Sequence, residues 1–147
     1  MRLLVIEDDA TLRQSLAAKL EDGGFAVEQA GDGKEGLYFA LEYPIDLAII
    51  DLGLPEISGL DIIRELREQG ITAKIILLAG VMNTAELAIA VEHGFEPVVH
   101  SAEQLDLLDA CSDGAVDAWL KFDTGMNRLG FDPADAAALI ERLRRSP

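Results

Sequence analysis

The chain has 147 residues, and 27 acidic against 12 basic side chains give it a formal net charge of −15. This length suits a single domain that buries about 68–70% of the unfolded surface. The excess of acids argues against binding to nucleic acid or to anionic membranes, because such binding depends on cationic side chains. The single cysteine permits no internal disulfide, and no apolar run reaches the roughly 18 residues that cross a bilayer, so we expect a cytoplasmic protein.

Apolar runs alternate with amphipathic stretches at intervals of about 20–25 residues, a spacing typical of βα units. Six such units account for the whole chain. The predicted strands cover residues 2–7, 25–30, 46–51, 74–79, 97–100 and 116–122. The predicted helices cover residues 10–22, 33–42, 58–69, 83–93, 101–111 and 133–145. We therefore predict an α/β fold, a flavodoxin-like doubly wound parallel sheet of six βα units with strand order 2-1-3-4-5-6.

Glycines and a capping acid mark several helix ends. Gly23-Gly24 and Gly94 follow the first and fourth predicted helices, at positions where a left-handed backbone is common. Asp132 and Pro133 open the last helix, as a cap and as a first helical residue. These glycines and capping residues support the predicted helix boundaries.

Carboxylates follow the first and third predicted strands. Glu7-Asp8-Asp9 comes directly after an apolar strand, and Asp51 ends the apolar run 47–50. The carboxyl ends of parallel strands meet at one edge of a sheet, where ligands bind, and clustered carboxylates favour a hard divalent cation such as Mg²⁺. The alternative is that Asp8 or Asp9 caps the first helix and that Asp51 is a solvated strand end. The spacing alone leaves both interpretations open.

Three motifs in the first half resemble the receiver domain of bacterial response regulators. They are Leu3-Leu-Val-Ile-Glu-Asp-Asp9, Asp51-Leu-Gly-Leu-Pro55 and Ser58-Gly59, and the resemblance extends to about residue 72. It implies that Asp51 accepts a phosphoryl group from a sensor kinase. It also implies that Glu7 and Asp8 hold Mg²⁺, with the Gly53 carbonyl as a further ligand.

The second half departs from the receiver pattern at two positions. Receiver domains follow their fourth strand with a Ser or Thr and end their fifth strand with a Lys, which pairs with the phosphoryl oxygens. Here the corresponding residues are Ala79 and His100. The resemblance therefore implies an impaired switch, even where Asp51 still reacts.

From about residue 73 the chain resembles bacterial alanine racemase, a pyridoxal-phosphate-dependent (β/α)₈ barrel enzyme. The resemblance rests on Leu78-Ala-Gly-Val-Met82, on 96–105 and above all on Trp119-Leu-Lys-Phe-Asp-Thr-Gly-Met-Asn-Arg-Leu-Gly-Phe131. It implies that Lys121 positions Arg128 beside the cofactor. The parts of the family that hold the Schiff-base lysine and the catalytic tyrosine have no counterpart in these residues. We therefore expect neither bound pyridoxal phosphate nor racemase activity.

Two side chains of the second half have ordinary structural interpretations. Trp119 lies on an apolar strand and is expected in the core, where its indole N–H needs a partner. His100 ends a strand, and the sequence favours a hydrogen bond to a neighbouring loop over a role as a ligand or base.

The two resemblances together predict one α/β domain over residues 1–147, with a receiver-like part at 1–72 and a racemase-barrel-like part at 73–147. We interpret the chain as a designed chimera that acts as a scaffold and is not an enzyme. The alternative function is a residual Mg²⁺-binding phosphoacceptor of two-component signalling at Asp51, and a third is a racemase remnant. We expect weak Mg²⁺ binding and no required partner, and the sequence leaves monomer and homodimer open.

Overall fold

The computed structural model describes residues 1–111, 116–125 and 127–144. The chain divides into two compact units, Met1–Leu78 and Ala79–Pro147. Among the described residues, no helix has both the length and the apolar character needed to cross a membrane.

The first unit contains four parallel strands and three helices. The strands are β1 (Arg2–Ile6), β2 (Ala26–Ala30), β3 (Leu47–Ile50) and β4 (Lys74–Leu77). The helices are α1 (Ala10–Asp22), α2 (Gly33–Glu42) and α3 (Gly59–Glu68). The strands lie in the order β2-β1-β3-β4, and every neighbouring pair is parallel. This order places β1 and β3 side by side in the middle of the unit.

The burial of strand β1 on both faces explains why its residues are continuously apolar and do not alternate with polar ones. Leu3, Leu4, Val5 and Ile6 are all buried, because a central parallel strand is covered on both faces. Helix α3 is buried on one face only. Its buried residues recur at helical spacing and are Gly59, Ile62, Ile63 and Leu66.

The second unit contains α4 (Thr84–His93), β5 (Glu96–Val99), α5 (Ala102–Asp109), β6 (Trp119–Leu120) and α6 (Ala136–Leu143). Strand β6 runs parallel to β5, with Val98 opposite Trp119 and Val99 opposite Leu120. A short 3-10 turn, Pro133–Asp135, precedes α6. The predicted α/β class and both segments of the predicted strand order are confirmed.

The end of the chain differs from the prediction. The expected strand at 116–122 is reduced to two residues, with one isolated bridge between Phe122 and Phe131. The last helix starts as a 3-10 turn, and residue 145, its predicted end, lies outside the described residues. The prediction of a core position for Trp119 is wrong, because 48% of its surface is exposed. Its indole Nε1 still donates a hydrogen bond, to Glu96 Oε2 at 2.6 Å.

Capping explains where the helices begin and end. The Asp9 side chain accepts hydrogen bonds from the backbone N–H groups of Thr11 and Leu12, which would otherwise lack partners at the start of α1. Gly94 follows α4 with a φ of 61° in the left-handed region, as the sequence predicts. Asp132 accepts from the backbone N–H of Ala134 and opens the final helical segment.

Candidate metal centre

The register of two neighbouring strands brings Glu7 and Asp51 together. Ile6 of β1 lies opposite Ile50 of β3, so the next residue of each strand leaves the sheet at the same edge. The Asp51 backbone N–H donates to the Ile6 carbonyl at 2.9 Å, which holds the two strand ends in contact. Two apolar runs that end at carboxylates therefore place those carboxylates side by side at the carboxyl-end edge of the sheet.

Three carboxylates form the centre. One side-chain oxygen each of Glu7, Asp8 and Asp51 lies within 4.8 Å of the others. Glu7 is buried, Asp51 is half-buried and Asp8 is exposed, so the cluster opens to solvent on one side. All the donors are oxygens, the ligand type that Mg²⁺ prefers, and Mg²⁺ typically uses few carboxylates while keeping several waters. The donor set therefore fits Mg²⁺.

Backbone hydrogen bonds orient two of these carboxylates. The N–H of Asp9 donates to Glu7 Oε1 at 3.1 Å, and the N–H of Gly53 donates to Asp51 Oδ2 at 3.0 Å. Since Asp9 caps α1, the structure combines the two interpretations of the acidic run. Asp9 takes the capping role, and Asp8 is left for the cluster.

Burial raises the pKa of the Glu7 carboxyl above its ordinary value of 4.5. The negative charges of Asp51 and Asp8 also raise it, whereas the hydrogen bond from the Asp9 backbone lowers it. Desolvation and like charges both disfavour the ionised form, so the negative charge of Glu7 costs free energy in the folded protein. A bound cation would remove that cost.

Arg13 contacts the same loop from the helix side. Its Nη1 atom donates to the Glu7 carbonyl at 2.5 Å and to the Asp8 carbonyl at 3.3 Å. Sequence reasoning missed this residue. The sequence did contain a hint, the position of an arginine near a predicted helix start. The helix dipole disfavours a cation there, so such a residue usually has a specific partner.

The other predicted site residues lie elsewhere or are only partly placed. Gly53 contributes its N–H to Asp51, and the role of its carbonyl as a ligand stays a prediction. Lys121 and Arg128 are exposed residues of the second unit. The segment between them is organised by Asp123, whose Oδ1 accepts from the backbone N–H groups of Gly125 and Asn127.

A buried glutamine organises the segment around His100. Gln104 is 1% exposed, and its Oε1 accepts from the His100 backbone N–H at 2.8 Å. Its Nε2 donates to the Ala79 carbonyl at 3.3 Å. Gln104 stands three residues after Ser101, the helix cap, and this capping-box spacing was a signal that sequence reasoning did not use. The Gln104 side-chain amide thus links the backbones of Ala79 and His100. These are the two positions where receivers have a hydroxyl residue and a lysine.

Comparison with known proteins finds two sets of relatives. The sequence profile of the family "Alanine racemase, N-terminal domain" matches residues 12–147. The alanine racemase of Shewanella woodyi is 43% identical over 83 residues, which are 56% of this chain and 23% of that enzyme. The two-component response regulator PhoP of Pseudomonas aeruginosa is 43% identical over 110 residues, which are 75% of this chain and 49% of PhoP.

The solved structures that resemble the chain include response-regulator receivers. The response regulator TrrA of Thermotoga maritima, solved in complex with Mg(2+)-BeF, is 32% identical with a TM-score of 0.59, over 69% of this chain and 87% of that chain. The chain spans about half the length of PhoP and about a quarter of the racemase. Both resemblances seen in the sequence are confirmed, and their matches overlap along the chain.

Proposed function

Because the chain belongs to the alanine racemase N-terminal domain family and is also homologous to response-regulator receiver domains, we propose that it is a chimera whose working site comes from the receiver part. The proposed function is to bind Mg²⁺ with Glu7, Asp8 and Asp51 and to accept a phosphoryl group on Asp51. The observation that supports it is the approach of three carboxylate oxygens to within 4.8 Å at the carboxyl ends of β1 and β3.

Asp51 is the acceptor because of its position in the cluster. It is half-buried beside the buried Glu7, and its Oδ2 is already held by the Gly53 N–H. Its other carboxylate oxygen attacks the phosphorus of an acyl phosphate, and the bond from phosphorus to the departing carboxylate breaks. Bound Mg²⁺ would supply positive charge to the phosphoryl oxygens.

One replacement makes this transfer slow. By the receiver resemblance, the lysine that pairs with the phosphoryl oxygens is replaced by His100. The hydroxyl residue, which in receivers relays phosphorylation to the output face, is replaced by Ala79. The replacement by His100 removes the lysine ammonium, the fixed positive charge that would stabilise the transition state. Loss of one such group typically slows a reaction by about 10²–10³-fold. We therefore expect phosphoryl transfer to Asp51 to be slower by about that factor than in a receiver that keeps its lysine.

Incubation with acetyl phosphate and Mg²⁺ tests this function. The intact protein is expected to gain the mass of one phosphoryl group slowly, because Asp51 is present but its cationic partner is not. Asp51→Asn is the matched control, since it keeps the shape of the side chain and removes the nucleophile. Intact-protein mass spectrometry follows both. An equal gain in the two proteins, or no gain in the intact protein at saturating Mg²⁺, would contradict the proposal.

The racemase family match favours a second candidate, a pyridoxal-phosphate site that uses Lys121 and Arg128. Both side chains are exposed, whereas a productive cofactor must be held and aligned with its acid and base partners. We propose that the chain has no racemase activity and is not an enzyme of this class.

Pyridoxal phosphate added to the protein is expected to give no saturable internal-aldimine band, because Lys121, the lysine that the racemase resemblance associates with the cofactor site, is exposed. Absorbance spectra decide, followed by borohydride reduction and peptide mass spectrometry. Lys121→Met is the control for adventitious reaction at that exposed amine. A stable band that maps to one lysine and racemises alanine would overturn this view.

The scaffold interpretation completes the proposal. Two families meet in a chain of 147 residues, and both parents are built from serial right-handed βα units that share local geometry. We propose that the chain was assembled by design with the junction near residue 72, and that it folds without a required partner. Its strongly acidic charge supports the absence of nucleic-acid binding.

A further inference from the structure

Arg13 is a cation placed where a helix disfavours one. It is the fourth residue of α1, just after the first turn and close to the positive end of the helix dipole. Its Nη1 atom donates to two backbone carbonyls, those of Glu7 at 2.5 Å and Asp8 at 3.3 Å. These are the two residues of the loop after β1 whose carboxylates enter the cluster. The contact therefore offsets an unfavourable helix position at the base of the proposed metal centre.

The contact helps to set the direction of both side chains. A hydrogen-bonded carbonyl restrains the plane of its peptide, and two consecutive restrained peptides restrain the Cα–Cβ direction of the residue between them. The Glu7 and Asp8 carbonyls flank the Asp8 Cα in this way. The Glu7 Cα lies between the Glu7 carbonyl and the Ile6 carbonyl, which accepts from the Asp51 N–H at 2.9 Å.

The loop is also tied by Asp9, whose N–H donates to Glu7 Oε1 and whose side chain caps α1. Arg13 is half-buried, and its guanidinium lies beside Gly31, where a Cβ would be 3.5 Å from Nη1, an ordinary contact distance. Arg13 is thus packed between the loop and the end of β2.

We propose that Arg13 is a positioning residue for the Mg²⁺ site: it holds the Glu7 and Asp8 carboxylates toward Asp51 against their mutual repulsion. The inference rests on the proposed Mg²⁺ binding. Three like charges within 4.8 Å push one another apart in the absence of a cation. If the loop after β1 were free to relax, the three carboxylates would move apart. Binding of the cation would then have to bring them together again, which would lower the affinity. Arg13 keeps it assembled and supplies positive charge without occupying the centre.

The test uses a matched pair of arginines. Arg67 also donates from Nη1 to two backbone carbonyls, those of Ile71 and Ala73 at 2.7 and 3.1 Å, but at the opposite end of the first unit's helices. Arg13→Met and Arg67→Met each remove a guanidinium with two backbone contacts. Only the first is expected to raise the Mg²⁺ dissociation constant, by roughly tenfold, as is common for residues that orient metal ligands.

Calorimetric Mg²⁺ titration measures the affinity, and urea unfolding measures the stability of each variant. Arg13→Lys is expected to bind more tightly than Arg13→Met, because a single nitrogen makes both contacts in the intact protein. Arg13→Gln takes the place of the methionine variant if that protein does not fold. An affinity unchanged by loss of Arg13, or weakened equally by loss of Arg67, would overturn the inference.

Asp51→Asn in the same titration separates this inference from the proposed function. If the intact protein binds Mg²⁺ and Asp51→Asn does not, the centre is real, and the Arg13 variants then report on positioning alone. If the intact protein and Asp51→Asn give the same response, the proposed function fails, and the inference that rests on it fails with it.

Discussion

Glu7→Gln is expected to stabilise the metal-free protein near neutral pH and to abolish most of its Mg²⁺ binding. The substitution keeps the side chain's shape, and its amide oxygen can still accept from the Asp9 N–H. It removes a buried charge that lies within 4.8 Å of two others. Like charges about 5 Å apart repel by a few kcal/mol before solvent screening, so we expect a gain on the order of 1 kcal/mol in unfolding free energy.

The gain depends on pH in a defined direction. The pKa of Glu7 is raised in the folded protein by burial and by the neighbouring acids, so the folded state binds the Glu7 proton more tightly than the unfolded state does. Protonation of Glu7 therefore favours folding. This contribution is complete below the ordinary pKa of 4.5 and is lost as pH rises through the raised value. The advantage of Glu7→Gln should shrink as the pH falls toward 4.5.

Urea unfolding with and without Mg²⁺, near neutral pH and in mild acid, measures both effects. Glu68→Gln is the control, because it makes the same change of charge at an exposed residue of α3 outside the cluster. Only the intact protein and this control are expected to gain stability from Mg²⁺. A destabilised Glu7→Gln protein with normal Mg²⁺ affinity would contradict the role of Glu7 in the centre.

Gly59→Ala is expected to destabilise the protein by about 2–4 kcal/mol, in spite of a helix propensity that favours alanine by about 1 kcal/mol. Gly59 is buried at the start of α3. A Cβ at this position would lie 2.2 Å from the Asp51 carbonyl oxygen and 3.1 Å from the Leu52 Cα. Both are backbone atoms that cannot move aside alone. The clash therefore outweighs the propensity and displaces the residue that we propose as the phosphoryl acceptor.

Gly53→Ala is the matched control for this prediction. A Cβ at Gly53 would meet only Asp51 Oδ2, at the ordinary contact distance of 3.5 Å, so we expect a change of less than about 0.5 kcal/mol. Urea midpoints and Mg²⁺ titrations of the two variants give the comparison. Equal stability of Gly59→Ala and the intact protein would show that the backbone at Asp51 is free to shift, against the close packing seen between α3 and the end of β3.

Many of the features of the site could be predicted from the sequence because they depend on neighbours along the chain. An apolar run that stops at a carboxylate identifies both Glu7 and Asp51 as strand-end residues, and parallel pairing brings such ends to one edge. The contacts of Arg13 and Gln104 could not be predicted in the same way. Each joins loops through a side chain whose direction depends on packing, although a cation at a helix start and a capping-box spacing were local hints.

The sequence by itself determined the succession of βα units, the helix cap at Asp132, and the acids at the ends of β1 and β3, and it left Asp8 and Asp9 both open as the cap of α1. These follow from hydrophobic period and from hydrogen bonding within a few residues. Only the tertiary structure decided that β6 pairs over just two residues and leaves Trp119 half exposed. It also decided that Glu7, not Asp8, is the buried acid. Strand pairing and burial depend on distant segments that a local pattern does not contain, since propensity yields to packing at such positions.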